Sequence, residues 1–267
     1  MTFRQRATRN FKQLSLALSG MFFLSCYLKS GLAMIPQDPS KAPQEKAAET
    51  KLSPDSDPAE LLKKALASYS SAKTYAGSWT YSQVSGANIS KLAVEIKVKL
   101  GKKALFRAAP PISVRNAGIL ASAPSVAAVL DGKTAWFEST DDQIYYKVTM
   151  PKEFSFSPLL FFPQMTGARD VKRMPNNPDN TAGDIVLQGE SEQGAIITLV
   201  LDGKSFHLKS MSSESEIAGM KSITTLQVDK EVFDGDISDG VFNYKSPKGF
   251  KEIPPPPGAG AVFGLPG

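Results

Sequence analysis

Few side chains in this sequence could act as nucleophiles, general bases or metal ligands. The chain has one histidine, His207, and one cysteine, Cys26. Hydrolases of the Ser-His or Cys-His type need a base beside the nucleophile, and zinc sites need several His, Cys or carboxylate ligands. The sequence lacks the partners for either arrangement, and we expect a lone histidine in a strand to be structural.

The acidic residues are the remaining candidates for acid–base chemistry, because paired carboxylates hydrolyse glycosides without other catalytic groups. Many of them cluster at 141–142, 190–192 and 234–239, in segments that resemble turns. Aspartate favours turns because its side chain bonds the local backbone. The glycines are scattered singly, so no phosphate-binding loop is predicted. The sequence therefore predicts a binding protein that needs no cofactor, and not an enzyme.

Residues 1–33 have the order of a secretory signal peptide. A basic stretch without acidic residues precedes an apolar run from Leu14 to Leu28, and Gly31-Leu32-Ala33 forms a small-residue cleavage site. The apolar run is shorter than the roughly 20 residues that a membrane span needs. We therefore expect an exported, periplasmic protein.

Cys26 has two interpretations within this segment. Leu24-Ser25-Cys26 is similar to the lipobox of bacterial lipoproteins, in which a lipidated cysteine becomes the first residue and tethers the protein. Alternatively, Cys26 is discarded with the signal peptide and the mature chain has no thiol. The Gly-Leu-Ala site favours the second interpretation.

The formal charge of +5 comes from the signal peptide, because residues 1–33 carry five Lys/Arg and the remainder holds 26 basic and 26 acidic residues. A neutral mature chain does not favour nucleic acid as a partner. Composition divides the rest into a flexible leader at 34–56, one domain at 57–253, and a disordered Pro/Gly-rich tail at 254–267.

The domain begins with a predicted amphipathic helix. Asp57 is a suitable N-cap and Pro58 suits the first helical position. Apolar residues then recur at helical spacing from Leu61 to Tyr69, and Lys63 and Lys64 are expected to face away from that stripe.

About nine or ten antiparallel strands follow, and no βαβ pattern is present. Residues 92–100 alternate between apolar and charged side chains, as in a strand with one buried face. Asp131-Gly132 and Asp202-Gly203 each lie between alternating runs and predict hairpins. The aromatic segment at 154–162 interrupts this pattern, and we interpret it as a lid over an apolar cavity or as a core plug. Residues 118–127 are a second candidate insertion.

Three stretches carry motifs in a fixed order: DGKTAWF at 131–137, Leu105-Phe106-Arg107, and FNYKSPKGF at 242–250. With the helix and strands around them, they resemble the periplasmic lipoprotein carrier family (LolA-like) and its exported relatives over nearly the whole domain. The sequence departs from that family at 101–103, where Gly-Lys-Lys replaces an Arg-Pro-Asn whose arginine is linked to lid closure.

The resemblance implies a mainly β fold, an open curved antiparallel half-barrel with an N-terminal helix and short lid helices on its concave face. It further implies a non-catalytic carrier that binds lipid or lipoprotein acyl chains, with an inner-membrane donor and an outer-membrane acceptor in lipoprotein sorting. The residues expected to line the cavity and lid are Leu62, Leu66, Trp79, Tyr81, Leu92, Val94, Ile96, Val98, Phe106, Trp136, Phe154, Phe156, Leu159, Leu160, Phe161 and Phe162.

Two other functions fit the same pattern. The fold could detect mislocalised lipid or lipoprotein and pass that signal to a membrane partner. It could also be a lipid-independent interaction module whose sheet is filled by its own side chains.

Overall fold

A computed structural model of the chain describes residues 56–86, 88–99, 103–111, 125–152, 154, 158–161, 163–175, 183–217 and 219–256. The predicted signal peptide with Cys26, nearly all of the leader and most of the tail lie outside the described residues. The predicted domain boundaries therefore stay predictions. None of the described helices combines the length and the apolar character needed to cross a membrane.

Among the described residues, twelve strands form one sheet. They are β1 Thr74–Ser85, β2 Asn88–Lys99, β3 Lys103–Ala109, β4 Val126–Asp131, β5 Thr134–Ser139, β6 Ile144–Thr149, β7 Arg169–Met174, β8 Ile185–Glu190, β9 Ile196–Leu201, β10 Leu208–Ile217, β11 Met220–Phe233 and β12 Lys251–Glu252. The mainly β fold predicted from the sequence is confirmed, and the described strands outnumber the predicted nine or ten by at least two.

The strand order is β12-β6-β5-β4-β3-β2-β1-β11-β10-β9-β8-β7. Two antiparallel meanders, β1 to β6 and β7 to β11, meet where β1 pairs with β11. β12 pairs with β6 in parallel and is the exception to the antiparallel pattern. The sheet does not close on itself, so the predicted open half-barrel is confirmed.

The strands alternate between a buried inner face and a wetter outer face, as the period of two in a strand requires. In β2, Leu92, Val94, Ile96 and Val98 are buried, while the charged residues that alternate with them, Glu95, Lys97 and Lys99, are partly exposed. The alternation predicted from the sequence for this strand is confirmed at these positions.

Helix α1, Pro58–Ser71, lies against the inner face. Asp57 caps it by accepting a hydrogen bond of 2.8 Å from the backbone N–H of Ala59, as predicted. The expectation for Lys64 is wrong, because its Nζ lies 4.1 Å from the centre of the Phe206 ring. The long lysine stem lets the ammonium reach an aromatic face beside the apolar stripe.

Both predicted Asp-Gly turns are confirmed as connections between paired strands. Asp131 Oδ1 accepts hydrogen bonds from the backbone N–H groups of Lys133 and Thr134, at 2.7 and 2.8 Å, between β4 and β5. Asp202 makes the equivalent bonds to residues 204 and 205 between β9 and β10. In each turn the aspartate orders the chain that follows it.

Residues 234–253, here called the C-terminal strap, cross the outer face from β11 to β6. Asp234 accepts from the backbone N–H of Lys73 at 2.5 Å, and Asp239 bonds Lys99 and Lys103. Further along, Phe242 is buried with β3 and β4 residues, and the strap ends in β12. It therefore joins the two ends of the first meander on the outside of the sheet.

Candidate functional site

The inner face is a single apolar surface to which ten of the twelve strands contribute buried side chains. Its strand members come from β1 to β6 and from β8 to β11, and the largest of those that are fully buried are Trp79, Tyr75, Phe106 and Ile96. Neighbouring strands lie about 4.8 Å apart, so the nine spacings between ten strands make this face roughly 43 Å wide.

Two elements cover part of this face, and together they are called the cover: α1 and residues 158–166. The second comprises a 3₁₀ turn, Pro158–Phe161, and a short helix α2, Pro163–Thr166. α1 contacts both of them as well as β7. Its 14 residues span about 21 Å, so α1 alone is about half as long as the face is wide.

The cover packs through apolar side chains. Leu61, Leu62 and Ala65 of α1 are buried, and Met165 of α2 is fully buried. Leu159 is partly buried against the same cluster. The cover is thus held to the sheet mainly by contacts that have no preferred direction.

The structure brings most of the predicted cavity residues together. Leu62, Trp79, Tyr81, Leu92, Val94, Ile96, Val98 and Phe106 are all buried in the inner-face cluster, and Leu66, Phe154 and Leu159 border it. Phe156 and Phe162 lie outside the described residues, and of Leu160 and Phe161 only the backbone is described. The lid assignment of 154–162 stays a prediction, and so does the second insertion, most of which is also outside the described residues.

Trp136 is not with this group, because it lies on the outer face. Its neighbours in β5, Ala135 and Phe137, are buried on the inner face, so the alternation of the strand turns Trp136 outward. There its ring stacks on Tyr244 of the C-terminal strap, with ring centres 5.6 Å apart. Trp136 therefore anchors the strap, and the inward aromatic of this strand is Phe137.

A polar group that sequence reasoning missed lies at the inner face beneath the last turn of α1. Glu231 of β11 accepts hydrogen bonds from the phenols of Tyr69 in α1, at 2.8 and 2.9 Å, and of Tyr75 in β1, at 2.7 Å. Burial raises the pKa of Glu231, and the two phenol bonds oppose that rise. One sequence signal could have found this group. Glu231 lies two residues before Phe233 in the same strand, so the two side chains point to the same face of the sheet.

His207 packs beside this group, with its ring 4.2 Å from that of Phe233. Burial lowers the pKa of His207, so the uncharged ring is favoured against this aromatic neighbour. Among the residues that the structure describes, no three His, Cys, Asp or Glu side chains are placed to hold a metal ion.

No family model matches the sequence, and no curated protein matches it. Solved structures similar to the chain include an uncharacterised conserved protein from Thermus thermophilus, with 12% identity and a TM-score of 0.42 over 73% of this chain and 98% of that one. A LolA superfamily protein from Nitrosomonas europaea has 10% identity and a TM-score of 0.31 over 71% and 98%. Lipoprotein LppX from Mycobacterium tuberculosis has 12% identity and a TM-score of 0.39 over 68% and 99%.

The solved structures similar to the chain thus include a LolA superfamily protein, the family that the sequence resembles. At 10–12% identity and TM-scores of 0.31–0.42, these similarities transfer no ligand, partner or location to this chain.

Proposed function

We propose that this protein is an exported, non-catalytic carrier that binds the acyl chains of a lipid or lipoprotein between the inner face and its cover. The observation that carries the proposal is the apolar inner face built by ten strands of an open sheet. A second sheet does not close over this face among the described residues. Short helical elements cover it instead, and such elements can separate from it without breaking strand pairs.

The chemistry of this face fits an acyl chain. Most of its side chains are aliphatic and aromatic, so they offer buried area and few directional bonds. Each CH₂ transferred from water into such a surface contributes about 0.8 kcal/mol. An acyl chain therefore gains affinity in proportion to its length.

Export and delivery complete the proposal. Residues 1–33 direct the chain out of the cytoplasm, and the carrier then takes its cargo from an inner-membrane donor to an outer-membrane acceptor. Native mass spectrometry of protein purified from its own envelope tests this part. A chain beginning near Met34 with a lipid-sized adduct supports a free carrier, whereas an acylated Cys26 at the first position indicates a tethered protein.

A pair of double variants tests acyl binding directly. We expect Phe161→Asp with Phe162→Asp to abolish binding of a fluorescent long-chain fatty acid, because two carboxylates in the lid oppose an apolar ligand. The matched control is Ile89→Asp with Ile196→Asp, which places the same charges at positions that are 74% and 42% exposed. Unchanged binding in the lid variant, with native circular dichroism, contradicts the lid assignment.

A further inference from the structure

One end of the inner face is formed by side chains that are polar but uncharged. In β1 the buried Tyr81 is followed on the same side of the strand by Gln83 and Ser85, because side chains on one face recur at every second residue. The same change occurs in β10 after Met211 and in β11 before Leu226. The apolar inner face therefore gives way to a polar surface at one end of three neighbouring strands.

The pairing of these strands aligns the polar side chains in two rows, which together are called the hydroxyl surface. One row is Gln83, Thr224 and Ser213, and the other is Ser85, Ser222 and Ser215. Ser213 is buried and the other five residues are half-buried. Because neighbouring strands lie about 4.8 Å apart and the rows are about 7 Å apart along each strand, the surface measures roughly 10 Å by 7 Å. It therefore offers room for a single glycerol or sugar unit.

Among the described residues of the same strand segments, the charged side chains all point to the outer face. They are Lys91, Glu214, Glu216 and Lys221, which alternate along the strands with the inward-facing residues and are all exposed. Lys221 Nζ lies 2.5 Å from Glu214 Oε1 on that side. Both faces of this end of the sheet thus contact water, yet the charges lie on one of them. Contact with water alone does not explain the composition of the hydroxyl surface.

The hydroxyl surface lies far from the point where α1 is fastened to the sheet. Tyr69 of α1 and Tyr75 of β1 both donate to Glu231 at that point. Gln83 follows Tyr75 by eight residues in β1, which is roughly 27 Å along an extended strand. The apolar rows of the inner face lie between these two levels. An acyl chain placed along them would therefore have one end at the hydroxyl surface.

The chemistry of the hydroxyl surface favours a headgroup without charge. Hydroxyl and amide groups both donate and accept hydrogen bonds, so they match the alcohol, ester and amide groups of a ligand. An ionised headgroup would lose hydration at these half-buried positions and would find no opposite charge among the six side chains, which is costly. The surface therefore fits groups that exchange hydrogen bonds with water for hydrogen bonds with the protein.

We propose that the hydroxyl surface is the headgroup subsite of the carrier, and that it binds an uncharged, hydroxyl-bearing headgroup such as that of an acylglycerol. The acyl chain of the same molecule lies on the apolar rows that begin at Tyr81. Thr224 connects the two parts, since its side chain is hydrogen-bonded to that of Tyr81. This inference rests on the function proposed above and adds the class of substrate, which is neutral amphiphiles and not ionised ones.

Two ligands with the same acyl chain and different headgroups test the proposal. Monopalmitoylglycerol and palmitate each displace a fluorescent fatty acid from the full chain, below the concentrations at which they form micelles and at neutral pH, where the carboxyl group is ionised. We expect wild type to bind monopalmitoylglycerol about tenfold more tightly than palmitate, because a few net hydrogen bonds are gained without burial of a charge.

Opposed hydroxyls on the two faces of β10 and β11 supply a variant and its matched control. Ser213→Ala with Thr224→Val removes a pair from the hydroxyl surface, and Ser212→Ala with Thr225→Val removes the directly opposed pair on the outer face. We expect the inner variant to lose about tenfold in affinity for monopalmitoylglycerol and to keep its affinity for palmitate. The outer variant should keep both affinities.

A second inner pair guards against misfolding of the first variant. Ser215→Ala with Ser222→Ala removes the other directly opposed hydroxyls of the hydroxyl surface, and the same selective loss is expected. Circular dichroism shows which of the variants retain the fold of wild type, and affinities are compared among those.

Failure of the headgroup subsite and failure of the carrier function give different results. The subsite is overturned if wild type binds palmitate as tightly as monopalmitoylglycerol, or if the inner and outer variants lose affinity equally or not at all. The carrier function stands in those cases, because acyl chains still bind. If neither ligand nor the fluorescent fatty acid binds to wild type, the carrier function is overturned and the headgroup subsite with it.

Discussion

Gly77 shows how a single absent side chain shapes the inner face. It lies in β1 opposite Glu231 of β11, between Tyr75 and Trp79. A Cβ atom at this position would lie 2.7 Å from Trp79 Nε1 and 2.8 Å from Tyr75 Cζ. Such distances are shorter than real carbon contacts, so Trp79 can donate to Tyr75 Oη, and Tyr75 to Glu231, because residue 77 has no side chain.

We expect Gly77→Ala to lower the free energy of unfolding by about 1–3 kcal/mol, as overpacking of a close-packed core usually does. The matched control is Gly240→Ala, where the nearest atom to a new Cβ, Ser238 Oγ, is 3.6 Å away. Urea denaturation followed by circular dichroism measures both. Equal stability of the two variants would show that the rings move aside without cost.

The difference between Trp136 and Phe137 shows what sequence could decide at this scale. The alternation of β5 was readable, and it places one of the two adjacent aromatics inside. Which of the two is inside depends on which face of β5 packs against the core, and that is decided by contacts with the rest of the fold. The C-terminal strap that covers Trp136 is more than a hundred residues away along the chain. Sequence carries no local sign of that contact. The same applies to Glu231, whose partners Tyr69 and Tyr75 are distant in the chain.

Among the elements, the C-terminal strap is the one whose role depends most on the rest of the fold. Three different kinds of contact hold it to the sheet. Asp239 forms salt bridges with Lys99 and Lys103, which keep the pKa of Asp239 below its ordinary value. Phe242 packs in an apolar cluster on the outer face, and Tyr244 stacks on Trp136. Tyr244 also donates to Glu138 at 3.3 Å. The outer face therefore has a small core of its own over β3 to β5.

A double-mutant cycle on Trp136→Ala and Tyr244→Ala measures the strap contact. We expect the two changes to be non-additive by about 0.5–1.5 kcal/mol, the usual worth of an aromatic pair beyond its buried area. Fatty-acid binding should persist in both single variants, because the pair lies on the face opposite the proposed site. Additive losses would show that the two rings contribute independently.

The elements differ in how far sequence predicts them, for physical reasons. β2 was predicted because one face is buried and the other is wet, which leaves a strict alternation. β7 gives no such signal, because no residue of this edge strand is fully buried and its sequence RDVKRM has no apolar period. β12 has two residues and owes its existence to pairing with β6.

For the whole molecule, the two ends of the sheet are protected differently. At one end β7 carries charged side chains and an irregular register against β8, features that discourage pairing with another sheet. At the other end the backbone of β6 is covered by β12, with Lys251 N–H donating to the carbonyl of Gln143 and Ile253 N–H to that of Tyr145, each at 2.9 Å. The strap thus closes an edge that would otherwise be open.

Removal of residues 247–267 should uncover the edge of β6 and promote self-association, since an open strand edge is a template for further pairing. Removal of 257–267 alone keeps β12 and should leave the protein in the state of the full chain. Analytical ultracentrifugation across a concentration series compares the two. A monodisperse longer deletion of unchanged mass would show that β12 is not needed to protect this edge.

The pairing of β1 with β11 also determines when the sheet can be completed during synthesis of the chain. Tyr75 and Glu231 are 156 residues apart in the chain, yet β1 lies at the middle of the sheet. While the chain emerges, β1 has a partner on one side only, and its second side stays open until β11 has been made. Contacts between such distant segments slow folding. The sheet therefore cannot be completed until β11 has been synthesised, which would suit the export proposed above.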